Sequence, residues 1–176
     1  FYVFNISNPS APQLLGVVPG PWELDSWSIQ GGYLFCASDS EGLMIYSLAD
    51  PTSPTLISAY PTPNDCEGLA LQDTYAYLGI QEYGFVIIDV SNPYAPSWVA
   101  TYPINTGEIE TIQLVDGYAY AAGGYPSINI FDVSNPVSPV VVGSIGEGAW
   151  LQGVYVHDGH AFLADQTGLL HIADVS

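Results

Sequence analysis

"FDVSNP" at residues 131–136 repeats "IDVSNP" at 88–93, and looser copies stand at 4–9 ("FNISNP") and 46–51 ("YSLADP"). With Asn5, Ser47, Asp89, Asp132 and Asp174 as equivalent positions, the intervals are 42, 42, 43 and 42 residues. The phrase closes a strand and opens a turn. Val90 or Val133 ends the apolar run, Asn and Ser side chains bond the local backbone, and Pro fixes φ while withholding an N–H from the ladder. A further proline three residues on (Pro12, Pro54, Pro96, Pro139) opens another strand, one with the edge character that tolerates Pro.

The rest of the repeat is equally regular. "GGYLFCA" (31–37), "DTYAYLG" (73–79), "DGYAYAA" (116–122) and "DGHAFLA" (158–164) each place a two-residue turn before alternating aromatic and small residues. An alternating run precedes each turn, ending near Gln30, Gln72, Val115 and His157. One repeat therefore reads as four short strands: inner, second, third and outer. No window has helical apolar spacing free of Gly and Pro, while β-branched and aromatic residues fill the runs. Four-stranded units of this length are the mark of a β-propeller blade, because each small sheet must bury both faces against its neighbours around an axis. A β-solenoid is the alternative, although its coils repeat at shorter periods. The sequence thus predicts an all-β propeller domain over 1–176, with units near 1–19, 20–61, 62–104, 105–146 and 147–176.

The segments "GLMIYSLADPTSP", "GFVIIDVSNPYAP" and "INIFDVSNPVSP", each preceded by Y-A-Y or a close variant, resemble the LVIVD-repeat family of bacterial and archaeal surface proteins. The resemblance covers essentially the whole chain. It implies propeller architecture and a surface location more than any activity; members usually carry more blades and some basic residues. The strand count is seventeen, whereas a ring of four four-stranded blades needs sixteen, leaving the stretch Phe1–Ser7 surplus. Either the chain is a segment of a larger propeller, or the spare strand pairs with another copy, building a homo-oligomer or polymer.

Composition narrows the function. The chain has no Lys or Arg against 18 Asp and Glu, a formal net charge of −18. That excludes nucleic acid and anionic membrane surfaces as electrostatic partners. No apolar run reaches the ~20 residues of a membrane helix, so no membrane insertion is expected. An extracellular or cell-surface protein that offers trypsin-like proteases no site is one reading of the missing bases; a composition bias is the other. The start lacks Met and a signal sequence, as a mature or trimmed chain would.

Where the inner strand begins, the repeat aligns Glu23, Asp65, Glu108 and Trp150 in one column, and Asp25, Glu67, Glu110 and Gln152 in a second. Six of these eight are carboxylates, and inner strands line a propeller's channel. Like charges gathered there are relieved by a cation, and hard oxygen donors suit Ca²⁺, so the six acids form the candidate metal site. A solvated acidic rim is the bland alternative. No motif demands a cofactor. His160 occupies the slot of Tyr33, Tyr75 and Tyr118 and reads as a packed aromatic substitute; "HDGH" (157–160) is a weak transition-metal signal, and His171 completes the set of three. Cys36 reads as a small buried hydrophobe, with a bridge to Cys66 left open. Asn5-Ile6-Ser7 fits a glycosylation pattern but occupies the strand-end slot, where its structural role dominates. Trp22, Trp27 and Trp150 lie near the acids, an association that suits sugar binding as well as packing.

No nucleophile elbow, phosphate-cradling Gly loop or reactive Lys is present. The sequence is read as a non-enzymatic, extracellular structural or adhesive propeller that self-assembles by strand addition, with a glycan or surface protein as further partner. The alternatives are a metal-dependent propeller hydrolase or lactonase, and a carbohydrate-binding module.

Overall fold

The computed structural model describes residues 1–21, 23–104, 107–124, 128–146, 148 and 150–176. Every regular element among them is a strand. A leading hairpin joins β1 (Tyr2–Asn5) to β2 (Gln13–Val17). Blade 1 holds β3 (Ser26–Gln30), β4 (Tyr33–Ser38), β5 (Gly42–Ser47) and β6 (Thr55–Tyr60), paired in that order. Blade 2 repeats the plan with β7 (Cys66–Gln72), β8 (Tyr75–Ile80), β9 (Gly84–Asp89) and β10 (Ser97–Tyr102), and blade 3 with β11 (Ile109–Val115), β12 (Tyr118–Gly123), β13 (Ile128–Asp132) and β14 (Val140–Ile145). Blade 4 has three strands: β15 (Leu151–His157), β16 (His160–Asp165) and β17 (Leu170–Asp174). The seventeen strands and the inner-strand ends match the sequence reading.

The repeated phrase works as a side-chain-capped turn. Asp89 Oδ1 accepts from the Ser91 N–H at 2.8 Å, Asp132 Oδ1 from Ser134 at 2.9 Å, Asn5 Oδ1 from Ser7 at 2.9 Å and Asp174 Oδ1 from Ser176 at 3.0 Å. In the next step Asn8 and Asn92 cap Ser10 and Tyr94 in the same way. These bonds fix the third-to-outer corner, while the second turn type fixes register. Asp116 and Gly117 take φ of 50° and 83°, Asp158 and Gly159 47° and 71°, the left-handed pairs that suit a tight hairpin between right-twisted strands.

Blade faces bury one another. Phe35, Ala37, Leu43 and Ile45 of blade 1 cover Leu69, Ala76 and Leu78 of blade 2. Tyr77, Phe85 and Ile87 of blade 2 cover Ile112, Ala119 and Phe131 of blade 3, with Phe85 stacked on Phe131 at 4.2 Å between centroids. Tyr120, Ala122 and Ile128 then cover Leu151, Ala161 and Leu163 of blade 4. Packing is close enough that a Cβ on Gly79 would fall on the carbonyl oxygen of Ile109. The inner strands β3, β7, β11 and β15 stand side by side along the channel.

The arc does not close. The leading hairpin rests on blade 1, where the Phe1 ring meets Tyr46 edge-on at 5.1 Å, and Trp27 and Ile29 of β3 stay exposed at 61% and 59%. At the far end Leu170 and Ile172 of β17 are exposed at 65% and 61%. The chain is a propeller segment of three complete and two partial blades.

Both cysteines are buried free thiols, so the bridge left open by the sequence is not formed. Burial pushes each thiol up to about 12. His160 departs from expectation: it is exposed, with Nδ1 2.8 Å from the Asp158 carbonyl, because a polar ring at the hairpin turn finds a backbone partner in place of packing.

Candidate functional site

The second acidic column is the wall of one cavity. Asp25, just before β3, Glu67 in β7, Glu110 in β11 and Gln152 in β15 line a space of about 360 Å³ at the channel. The repeat places one side chain per blade at the same height, so a carboxylate at this position recurs around the axis. Residues of the first column sit one step out, immediately before or near the inner strand. Their backbone carbonyls are used alike: Asp65 accepts from the Gln81 N–H at 2.9 Å, Glu108 from Gly124 at 3.0 Å and Trp150 from Gln166 at 3.1 Å. Glu23 offers its carbonyl to the Ser38 hydroxyl at 2.8 Å.

The side chains divide by partner. Glu108 accepts from the Gln81 amide and Glu110 from the Trp150 indole N–H. Among the described residues the buried Oε2 of Glu67 has no donor. Burial, then the charges of Glu108 and Glu110, then those of Asp25 and Asp39, push the Glu67 carboxyl up to about 7. Asp25 is pushed up to about 6 by loss of water on its cavity side, then by its hydrogen bond and repulsion with Asp39. Glu23 is raised as well, chiefly through a hydrogen bond with Asp39. Within this set of acids, Glu67 and Asp25 are the two carboxyls whose protons are held toward neutrality.

Asp39, in the loop after β4, belongs to this site and was missed. It shares a repeat column with Gln81, Gly124 and Gln166, each at the first position past the second strand, and polar residues recurring there are the signal that would have found it. Of the six acids expected to hold a cation, the structure brings Asp25, Glu67 and Glu110 to one cavity and leaves Glu23, Asp65 and Glu108 around it. Among the described residues no three His, Cys, Asp or Glu side chains are arranged to hold a metal ion. Glu108 and Glu110 are turned instead to neutral donors. Trp22 lies outside the described residues; Trp27 is exposed away from this cavity, and Trp150 is engaged by Glu110.

A second polar cluster gathers in blade 4. The buried Asp165 accepts at Oδ1 from the Thr167 N–H at 2.9 Å, the Thr167 hydroxyl at 2.8 Å and the Leu169 N–H at 2.9 Å, while Oδ2 lies 3.0 Å from His171 Nε2. His171, then the backbone donors, hold this carboxyl well below the usual range. The arrangement locks the β16–β17 loop. In the "HDGH" turn His157 and Asp158 form an exposed pair at 3.3 Å, beside the His160 contact with the Asp158 carbonyl.

An open arc of face-packed, four-stranded antiparallel sheets around a channel defines a β-propeller segment. More specifically, the chain belongs to the LVIVD-repeat family, whose repeat matches residues 1–19, 25–62, 64–103, 106–146 and 151–176. Among solved structures the arc is similar to the computationally designed Ika4 protein, with a TM-score of 0.73 and 8% identity over 93% of this chain and 99% of that one. It is also similar to the computationally designed Ika8 protein, with a TM-score of 0.75 and 8% identity over 99% of this chain and 52% of that one. The chain therefore spans about half the length of Ika8. At such identity the likeness shows the fold alone. No curated protein matches the sequence.

Proposed function

We propose that this chain is a non-enzymatic structural or adhesive propeller module that works outside the cell and self-associates through its free sheet edges. The observation that carries the reading is the make-up of the channel wall: Asp25, Glu67, Glu110 and Gln152 are four copies of one repeat position. An enzyme needs differing groups aimed at one reacting atom, a nucleophile beside a base or an oxyanion cradle. Symmetric acids with no basic partner instead give a soluble, strongly anionic scaffold. The free edge of β1 and the exposed aromatic Trp27 supply surfaces for a second chain or a sugar ring. Incubating the purified chain with a glycan array and with intact cells tests the adhesive role; absence of binding to either, together with a strictly monomeric mass, removes it.

A second reading, a propeller hydrolase or lactonase, draws on Glu67, a cavity carboxyl at about 7 whose buried Oε2 has no hydrogen-bond partner among the described residues. Turnover of lactone, ester or glycoside substrates that is lost in Glu67→Gln, with and without added divalent cation, would favour it over the scaffold.

A further inference from the structure

At the third-to-outer corner the repeat sets Asp89, Asp132 and Asp174, and each accepts through Oδ1 from the N–H two residues on. Asn5 does the same at its own corner, accepting from the Ser7 N–H at 2.9 Å. Amide and carboxylate serve this turn equally, since both offer an oxygen. What the amide adds is Nδ2, a nitrogen the cap does not use. Ser7 gives its N–H to the cap and is exposed. Asn5-Ile6-Ser7 is moreover the one Asn-X-Ser/Thr of the chain in which X is not Pro. Asn8, Asn92 and Asn135 precede Pro, and Asn64, Asn105 and Asn129 have no hydroxyl residue two places on.

The corner stands clear of the rest of the fold. A third strand runs in the direction of the inner strand of its blade, so it ends away from Asp25, Glu67 and Glu110. Its exposure is not set by a chain end. In blade 2, flanked by blades on both sides, Asp89 is half-buried and Ser91 exposed, and blade 3 repeats this with Asp132 and Ser134. Asn5 and Ser7 show the same pair of exposures. A cleft of about 150 Å³ lined by Asn5, Ser7, Asn8, Ala11 and Gln13 lies beside them.

We infer that Asn5 is a glycosylation site, its Nδ2 accepting an oligosaccharide from a polyprenyl-phosphate-linked donor. The inference rests on the extracellular reading proposed above, since such a transfer acts on exported chains. Nδ2 forms a bond to the anomeric carbon of the first sugar while the bond from that carbon to the phosphate oxygen breaks. The lipid phosphate leaves with the electron pair, and the Nδ2 proton passes to a base of the transferase. Asn-X-Ser/Thr is the pattern such a transferase reads, the hydroxyl at the third place included. Oδ1 is untouched by the transfer, so the cap on the Ser7 N–H persists in the modified chain. The structural and the acceptor role of Asn5 thus use different atoms of one side chain. The glycan extends from the end of the blade away from the channel and leaves the acidic mouth bare.

Mass spectrometry of the protein isolated from the cells that make it, with culture medium, surface and cytoplasm collected apart, tests the site. With no Lys or Arg the chain gives trypsin no cut, so a Glu-specific protease is used, which releases a fragment ending at Glu23. The expected result is a fragment heavier by a whole number of sugar residues, with fragmentation placing them on Asn5. Asn5→Asp, which keeps the capping oxygen as Asp89 does, and Ser7→Ala, which keeps the N–H, each lose the sugar entirely and hold the melting temperature of the unglycosylated chain. Ser7→Thr retains the sugar. A bare fragment from protein found outside the cell overturns this inference and leaves the extracellular reading standing. Bare protein found only in the cytoplasm overturns both. Sugar that survives in Asn5→Asp or Ser7→Ala, or that sits on a hydroxyl, overturns Asn5 as the acceptor.

Discussion

Glu67→Gln stabilises the fold at alkaline pH and far less at acid pH. In the folded chain the Glu67 carboxyl is held at about 7 in place of 4.5, first by burial and then by Glu108 and Glu110. Between those two pH values the folded state binds a proton that the unfolded chain releases, so stability falls as pH rises through the window. At 1.36 kcal/mol per pH unit the folded state would lose about 3 kcal/mol above pH 7. The channel mouth is open to water, which screens the repulsion, and about half of that, ~1.5 kcal/mol, is the working magnitude. Gln has the shape of the protonated acid and no charge, so it recovers this amount at pH 8 and only about a quarter of it at pH 5. For a chain of this size the gain is about 3–6 °C in melting temperature. Thermal melts followed by circular dichroism at pH 5 and pH 8, for both proteins, measure it. Equal midpoints at pH 8, or an equal gain at both pH values, would refute the claim that like charge and burial strain this residue.

Gly79→Ala puts a Cβ on the Ile109 carbonyl oxygen and costs about 3 kcal/mol or more in urea unfolding, whereas Gly143→Ala, whose Cβ would lie 3.5 Å from the Ile130 side chain, changes the midpoint little. Cys36 and Cys66, with thiols pushed up to about 12 by burial, resist alkylation in the native protein at pH 8 and react fully in denaturant, as mass spectrometry would record. Asp165→Asn removes the carboxylate that His171, Thr167 and Leu169 hold. Because that carboxyl is depressed, its contribution is present above its unfolded value and lost as pH falls through its folded one. The variant therefore melts below wild type at pH 6, and the gap narrows toward pH 2.

Strands and turns were legible because the repeat states them five times. Asx-capped corners at Asn5, Asp89, Asp132 and Asp174 need only the residue and its next neighbour but one, so local sequence suffices to read them. The second acidic column was legible for a related reason: side chains at one repeat position share one height on the axis, as Asp25, Glu67, Glu110 and Gln152 do. Partners set by tertiary approach were not. Glu110, which meets the Trp150 indole, and Glu67, whose Oε2 has no partner among the described residues, occupy neighbouring blades and equivalent columns, yet their surroundings differ. Asp165 pairs with His171, but the other copies carry Ser38, Ile80 and Gly123 at the first position and Met44, Val86 and Asn129 at the second, and repetition carries no information where the copies diverge.

A chain without Lys or Arg must settle 18 carboxylates by other means, and it does so in two ways. Acids at corners and loops face N–H and hydroxyl donors: Asp50 with Thr52, Asp132 with Ser134, Asp174 with Ser176 and Glu41 with Ser40 and then Ser38 are all held below their ordinary values, with Asp165 the most depressed. Acids at the channel face one another, and Glu23, Asp25 and Glu67 are all raised. The corner group ties the fold together once ionised, and weakens it when protonated in strong acid. The channel group weakens the fold as pH rises from the ordinary carboxylate values to the raised ones, about 6 for Asp25 and about 7 for Glu67, and no further above them. The two slopes oppose, so stability peaks near pH 4, where the corner acids have become charged and the fall set by Asp25 and Glu67 is only beginning. Salt flattens the alkaline side of that peak more than the acid side, because it screens repulsion at the open channel mouth but leaves the short corner hydrogen bonds intact.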